Sequence, residues 1–176
     1  MKNNEREIIN LLTEYSKALD LLWKYDHDKL IIPRGKKASF SLDYNHASEV
    51  IKKLGAGLDK RLGAGDLFGQ EISKKFESII RNLYQTFGKK ELYKTIEEKA
   101  AHLLYLIIKD HPFADGNKKI AAFLFVYFLY KNKYLYKKNG EKKINDNTLV
   151  ALVLLIAVSH SEEKDTMIKI IANLLE

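Results

Sequence analysis

The 176-residue chain contains no cysteine. This absence excludes a disulfide framework, a thiolate metal site and a thiol nucleophile, because each of these needs the cysteine sulfur atom. The lack of cysteine fits a reducing compartment, so we expect the protein to act in the cytoplasm.

Long apolar runs are also missing from the sequence. The longest ones, at 120–130 and 149–158, have roughly half of the ~20 apolar residues that a helix needs to span a bilayer. The first residues, Met1 to Arg6, are polar and do not resemble a signal peptide. We therefore expect a soluble protein that has no membrane partner.

Arginine is scarce, although the formal net charge is +7. Lysine supplies nearly all of the 30 basic residues, and a lysine is less suited than an arginine to bidentate contacts with bases or phosphates. A lysine excess that is spread over most of the chain indicates a solvated surface. Nucleic acid is therefore not expected as a partner.

The spacing of apolar residues predicts a mainly helical chain, and its length suits a single domain over residues 1–176. Thr95 and Glu98 have the spacing of a capping box at a helix start. The segment 120–130 is apolar on nearly every side, which predicts the buried helix at the centre of the domain. Helices are predicted over residues 5–24 (with one buried face), 43–54, 67–84 and 95–109, around 120–130, and from about Asp146 and about Ser161.

Breaks in the helical pattern predict the connections. Residues 25–41 lack periodicity and read as a surface connection, whereas Gly55 to Gly57 and the pair Gly63 and Gly65 read as helix stops and turns. In the segment 134–144, the dipeptide Asn139-Gly140 indicates either a β-hairpin or a plain loop between helices.

The segment His111-Pro-Phe-Ala-Asp-Gly-Asn-Lys-Lys119 has the composition of a loop that handles phosphate. Gly116, Asn117, Lys118 and Lys119 stand at the start of the apolar helix, where free backbone amides and the helix dipole attract anions. Glycine lets the backbone approach a phosphate closely, the asparagine amide can donate a hydrogen bond, and the lysines supply positive charge.

Three other residues of this segment have chemical uses. Asp115 suits a magnesium ion, which binds to one or two carboxylates together with phosphate oxygens. His111 can remove a proton from an attacking hydroxyl group, and Phe113 should anchor the loop in the core. Each polar residue also has a purely structural interpretation: His111 as a helix terminator, Asp115 as a helix cap, and the lysines as surface charge.

The seven positions from His111 to Asn117 fit the pattern of histidine, any residue, phenylalanine, any residue, acid, glycine and asparagine. This loop resembles the signature loop of the Fic/Doc family. The resemblance is clearest over residues 65–160, whereas residues 1–60 form an N-terminal helical extension. It implies an all-α bundle with a small β-hairpin flap ahead of the active-site loop.

Carried over to this chain, the resemblance implies His111 as the general base, Phe113 as the loop anchor and Asp115 as the Mg²⁺ ligand. It further implies that ATP is the substrate, bound through its phosphates by the residues from Gly116 to Lys119. The segment 84–93 is the candidate flap, which docks the target protein through Phe87, Gly88, Lys89 and Lys90.

The sequence departs from the family pattern after the asparagine. Lys118 and Lys119 stand where most adenylylating members have glycine and arginine, and Ala122 replaces a further arginine. Lysine lacks the bidentate fork of arginine. The Asp-Gly-Asn core favours transfer of AMP, while a lysine after the asparagine resembles the Doc branch, which transfers the terminal phosphate. A catalytically weak member or a non-enzymatic basic binding protein is a further alternative.

The resemblance also implies partners. The target would be a protein that offers a serine, threonine or tyrosine hydroxyl, and an antitoxin-like inhibitor protein or a second copy of the chain could bind as well. Two segments match an internal inhibitory helix in part, Ser73 to Ser78 and Ser159 to Lys164.

Overall fold

The computed structural model describes residues 2–57 and 65–176, so the turn predicted at Gly63 lies outside the described residues. The chain forms two compact units, residues 1–31 and residues 32–176. None of the helices in these described ranges is both long enough and apolar enough to cross a membrane.

The first unit is helical, as predicted, but its apolar face is not buried. Helix α1 (Lys2–Glu14) and helix α2 (Ser16–Asp26) are separated only by Tyr15. Helix α2 contains no buried residue. The prediction of one buried face was wrong, because an amphipathic spacing does not ensure that a packing partner covers it. The exposed apolar residues are Ile8, Ile9, Leu11, Leu12, Tyr15, Leu19, Leu22 and Trp23.

The second unit contains the remaining helices and one small sheet, which confirms the predicted all-α class with a hairpin. Strands β1 (Thr86–Phe87) and β2 (Lys90–Glu91) pair in antiparallel orientation. Gly88 and Lys89 between them both have positive φ angles, as a two-residue hairpin turn of type I′ requires. The helices are α3 (Tyr44–Gly57), α4 (Lys75–Asn82), α5 (Ile96–Asp110), α6 (Asn117–Lys131), α7 (Asp146–Val158) and α8 (Lys164–Leu174).

Helix α5 lies at the centre of this unit. It packs against α4, α6, α7 and α8, and most of its residues are buried. The predicted capping box is present, since Thr95 and Glu98 each accept a hydrogen bond from the backbone of the other. The prediction that α6 is the central helix was wrong: Phe123 and Tyr130 on α6 are exposed, because α6 has fewer neighbouring helices than α5.

The helix predicted over 67–84 is much shorter in the structure. Helix α4 begins only at Lys75, because the backbone of residues 68–72 is hydrogen-bonded to the loop between α5 and α6. Helix α3 extends to Gly57, so it ends within the glycines that were predicted to end it. The segment around Asn139-Gly140 forms a hairpin-like turn, with Tyr136 bridged to Lys142.

Candidate active site

The loop between α5 and α6, residues 111–116, begins at His111. This residue ends α5 in the left-handed conformation, with φ 44° and ψ 60°, and its side chain is exposed. His111 Nδ1 lies 3.2 Å from the carbonyl oxygen of Lys109. Because a carbonyl oxygen only accepts hydrogen bonds, this contact favours the neutral tautomer with the proton on Nδ1, in which Nε2 keeps its lone pair. The exposed imidazole thus has one nitrogen available as a base.

Phe113 anchors the loop in the core. Its side chain is 2% exposed and its ring centroid lies 4.9 Å from that of Phe76 on α4. Asn117, at the start of α6, fixes the backbone of the same residue with two hydrogen bonds. Its Oδ1 accepts from the Phe113 N–H at 3.0 Å, and its Nδ2 donates to the Phe113 carbonyl at 2.7 Å. Asn117 therefore fixes the shape of the loop next to the place where it was predicted to bind phosphate.

Residues 68–72 run beside the loop and form a second wall of the site. The Gly69 N–H donates to the Asp115 carbonyl, the Ala114 N–H donates to the Gln70 carbonyl, and the Ile72 N–H donates to the Pro112 carbonyl. These three backbone hydrogen bonds hold the loop against residues 68–72 and fix the path of its backbone.

Gly116 sits where the loop turns into α6. It has φ 86° and ψ 6°, a conformation that suits glycine and strains other residues. The ring of Phe68 also lies so close that a Cβ atom at position 116 would stand 2.6 Å from Phe68 Cδ2. Both the positive φ angle and the lack of space for a Cβ atom therefore favour glycine at this position.

The first turn of α6 has no side-chain cap. Its N-cap residue, Gly116, has no side chain to cap the first backbone amides, which lie at the positive end of the helix dipole. Lys118 and Lys119 are both exposed next to these amides. This arrangement suits an anion such as a phosphate group.

Asp115 stands next to this turn with an exposed side chain. In the part of the chain that the structure describes, no group of three or more acidic or histidine residues could hold a metal ion by itself. A single accessible carboxylate fits Mg²⁺ bound together with a nucleotide, because this ion takes most of its other ligands from phosphate oxygens and water.

The hairpin and the loop lie at opposite ends of α5. The hairpin immediately precedes this 15-residue helix, and the loop follows it about 22 Å further along. The structure therefore brings together His111, Phe113, Asp115 and the residues from Gly116 to Lys119, but not the hairpin residues Phe87 to Lys90. The exposed Phe87 and the two lysines form a separate surface feature.

In each of the two candidate inhibitory segments, the glutamate contacts a residue that is close to it in the sequence. Glu77 pairs with Arg81 at 2.6 Å, and Glu163 accepts from the His160 N–H at 2.6 Å.

A residue that the sequence reasoning missed is Phe68, whose role depends on its approach to Gly116 from a distant part of the chain. No periodicity or local motif marks such a contact in advance.

Comparison with known proteins identifies a family. The family model described as Fic/DOC family matches residues 41–129, about half of the chain. The match starts earlier and ends earlier than the core at 65–160 that the sequence had suggested, and it includes α3, the Phe68 segment, α5, the loop and most of α6. No curated protein and no solved structure matches the chain. The chain therefore belongs to the Fic/DOC family, a class of protein-modifying transferases.

Proposed function

We propose that the protein transfers AMP from ATP to a hydroxyl side chain of a target protein. The observation that carries this proposal is the convergence of three features on one loop: an imidazole with a free Nε2, an accessible carboxylate, and the uncapped first turn of α6. Together these supply a base, a ligand for a metal ion and a binding site for phosphate.

In the proposed reaction, Nε2 of His111 removes the proton from the target hydroxyl as its oxygen attacks the α-phosphorus. The bond between the α-phosphorus and the bridging oxygen breaks, and pyrophosphate leaves. The amides of the first turn of α6 and the two lysines hold phosphate oxygens. Mg²⁺, held by Asp115 and the phosphates, would neutralise charge on the nucleotide. The exposed hairpin would contact the target at a distance from the reacting hydroxyl.

Transfer of the terminal phosphate is the second candidate. Lys118, which follows Asn117 directly, is the observation that favours it, since this lysine is a feature of the Doc branch. In that case the target oxygen would attack the γ-phosphorus, and ADP would leave. The same base, metal ligand and anion site would serve both reactions, so the orientation of the bound nucleotide decides between them.

ATP labelled on the α-phosphate or on the γ-phosphate tests both candidates. The protein is incubated with Mg²⁺ and cell lysate, and label on protein is measured. AMP transfer retains α-label alone and phosphate transfer retains γ-label alone. Retention of neither label would contradict both candidates and favour a non-catalytic protein.

Two histidine variants sharpen the labelling experiment. His111→Ala should lower labelling about 10²- to 10⁴-fold, the usual effect of losing a general base. The matched control is His27→Ala, because His27 is also exposed and its Nδ1 also lies near a backbone carbonyl, that of Trp23 at 2.8 Å. Equal labelling by the two variants would contradict the assignment of His111 as the base.

A further inference from the structure

We propose that α1 and α2 pair with the same two helices of a second copy of the chain. This inference goes beyond the proposed function and does not depend on it. The surface that the second copy covers is the apolar face of α1 and α2. Nine large apolar side chains make up this face, each between 46% and 61% exposed: Ile8, Ile9, Leu11, Leu12, Tyr15, Leu19, Leu22, Trp23 and Tyr25.

The apolar face has the size of an interface. Nine large side chains that are each about half exposed present on the order of 800 Å² of apolar surface. The largest apolar patch on a typical monomer covers only about 300–600 Å². An interface of standard size buries about 800 Å² on each partner. One copy of the face therefore supplies the area that a stable dimer needs from each chain.

The spacing within this face is that of helices which pair with other helices. A seam runs through the face, formed by Ile8, Leu12, Tyr15, Leu19 and Leu22. Its members are four, three, four and three residues apart, which is the 3.5-residue repeat of a coiled coil. The seam crosses the junction of α1 and α2, because the Leu19 N–H donates to the Tyr15 carbonyl at 3.0 Å and the Tyr15 N–H donates to the Leu11 carbonyl at the same distance. A second helix is therefore the occupant that the spacing fits.

The charges of this segment do not suit an anionic membrane. Residues 1–31 contain five basic and six acidic residues, so their net charge is −1. A helix that lies on an anionic membrane is instead rich in lysine and arginine on its polar face. The positive net charge of the chain thus comes from elsewhere, and a protein surface is the better match for the apolar face.

Charges at the edge of the seam favour an antiparallel pair. Arg6 and Asp20 are 14 residues apart, which is two heptads, so they flank the same edge. If two antiparallel helices overlap along their whole length, Arg6 of one copy lies beside Asp20 of the other, and two-fold symmetry repeats the contact. Asp20 also pairs with Lys24 at 2.7 Å, and a carboxylate can accept from more than one cation. The same register packs Ile8 against Leu19 of the other copy, whereas a parallel pair offers neither contact.

Light scattering on the full chain tests the dimer. At about 50 μM, above the micromolar dissociation constants of the weakest interfaces of standard size, wild-type protein should show twice the chain mass of 20.3 kDa. Leu12→Glu combined with Leu19→Glu places charges in the seam and should show the mass of one chain. The matched control is Val150→Glu combined with Leu154→Glu, because these residues of α7 are exposed to a similar extent, 57% and 53%. The control should keep the mass of the dimer.

Trp23 provides a second measurement, since it is the only tryptophan of the chain and belongs to the apolar face. In wild-type protein its emission should shift to shorter wavelength as the concentration rises and the dimer forms. In the variant with both seam substitutions the emission should not depend on concentration. A dimeric mass for this variant, or a monomeric mass for the α7 control, would show that a different surface forms the dimer and would overturn the proposal.

The absence of cysteine allows a test of the antiparallel orientation. Ile8→Cys and Leu19→Cys are prepared separately and oxidised, alone and as an equal mixture. The mixture should form more disulfide-linked dimer than either variant alone, because a disulfide needs Cα atoms about 4.4–6.8 Å apart and only positions 8 and 19 of different copies approach each other. More complete linkage in either variant alone would overturn the antiparallel arrangement.

A monomeric mass for wild-type protein overturns the proposal, and two measurements then identify what covers the face. If Trp23 is shielded from iodide at every concentration, the face lies against the second unit of the same chain. If the monomer binds to vesicles of phosphatidylcholine and phosphatidylglycerol, the face lies on a membrane. Each of these outcomes leaves the proposed function intact, since the labelling experiment tests that separately.

Discussion

The ring of Phe68 lies directly against Gly116, and a Cβ atom at position 116 would stand 2.6 Å from Phe68 Cδ2. Phe68 is held in place because its neighbour Gly69 donates a hydrogen bond to the Asp115 carbonyl. The bend that opens the first turn of α6 therefore depends on a segment that lies more than 40 residues earlier in the chain.

Gly116→Ala should destabilise the protein and reduce nucleotide binding. Gly140→Ala is the matched control, since Gly140 has the same φ of 86° but open space around its Cβ position. The control should cost about 1 kcal/mol for backbone strain, and Gly116→Ala about 1–3 kcal/mol more for the collision with Phe68. Urea denaturation gives both values, and equal losses would show that the Phe68 contact is unimportant.

Asn117→Ala should loosen the loop. The variant leaves the N–H and carbonyl groups of the buried Phe113 without their side-chain partners, which should cost about 1–3 kcal/mol in the free energy of unfolding. Asn139→Ala removes an exposed hydrogen bond to the Glu141 N–H and should cost less than about 0.5 kcal/mol. Chemical denaturation compares the two, and a similar cost for both would contradict the role of Asn117.

Asp115→Asn should raise the Mg²⁺ concentration needed for half-maximal labelling of the target. Loss of one carboxylate should shift this concentration about tenfold or more, because few protein ligands hold Mg²⁺ beside a nucleotide. Asp110→Asn is the control, since Asp110 is an exposed acid at the end of α5. An unchanged Mg²⁺ requirement in Asp115→Asn would rule out this carboxylate as the metal ligand.

Lys99→Met should release the hairpin from the body of the protein. The buried ammonium group of Lys99 donates to Glu91 Oε2 at 3.1 Å and to the Tyr93 carbonyl, so it connects α5 to the end of the hairpin. The variant should expose the amides of residues 86–93 to faster hydrogen exchange while those of α5 stay protected. Lys94→Met, at an exposed position beside the hairpin, controls for the loss of charge. Unchanged exchange in Lys99→Met would contradict this prediction.

Lowering the pH should reduce the stability of the folded protein, because His102 is buried. Burial lowers the pKa of its imidazole below the usual 6.5, and its side chain is only 8% exposed. Between the lowered pKa and 6.5, the unfolded chain binds more protons than the native one, so stability falls as the pH falls through this window. His102→Gln should show a shallower loss between about pH 7 and pH 5. Urea midpoints measured at several pH values provide the comparison, and parallel curves would contradict this role.

Much of the second unit could be predicted from the sequence, because the signals concerned are local. The capping box at Thr95 and Glu98 depends on residues three apart, and the turn at Gly88 depends on its immediate neighbours. The order of residues from His111 to Asn117 likewise identified the loop, since its chemistry lies in one continuous segment.

Other features were decided only by contacts between distant segments. The pairing of residues 68–72 with the loop shortened α4, and the surrounding helices made α5 the central helix in place of α6. The exposed apolar face of α1 and α2 shows that an amphipathic pattern specifies a helix without specifying what covers it. The sequence by itself determined most of the helices, the hairpin and the position of the loop between α5 and α6, through short-range hydrogen bonding and periodicity. Tertiary packing alone decided which helix is central and what lies against Gly116, because these depend on which surfaces meet.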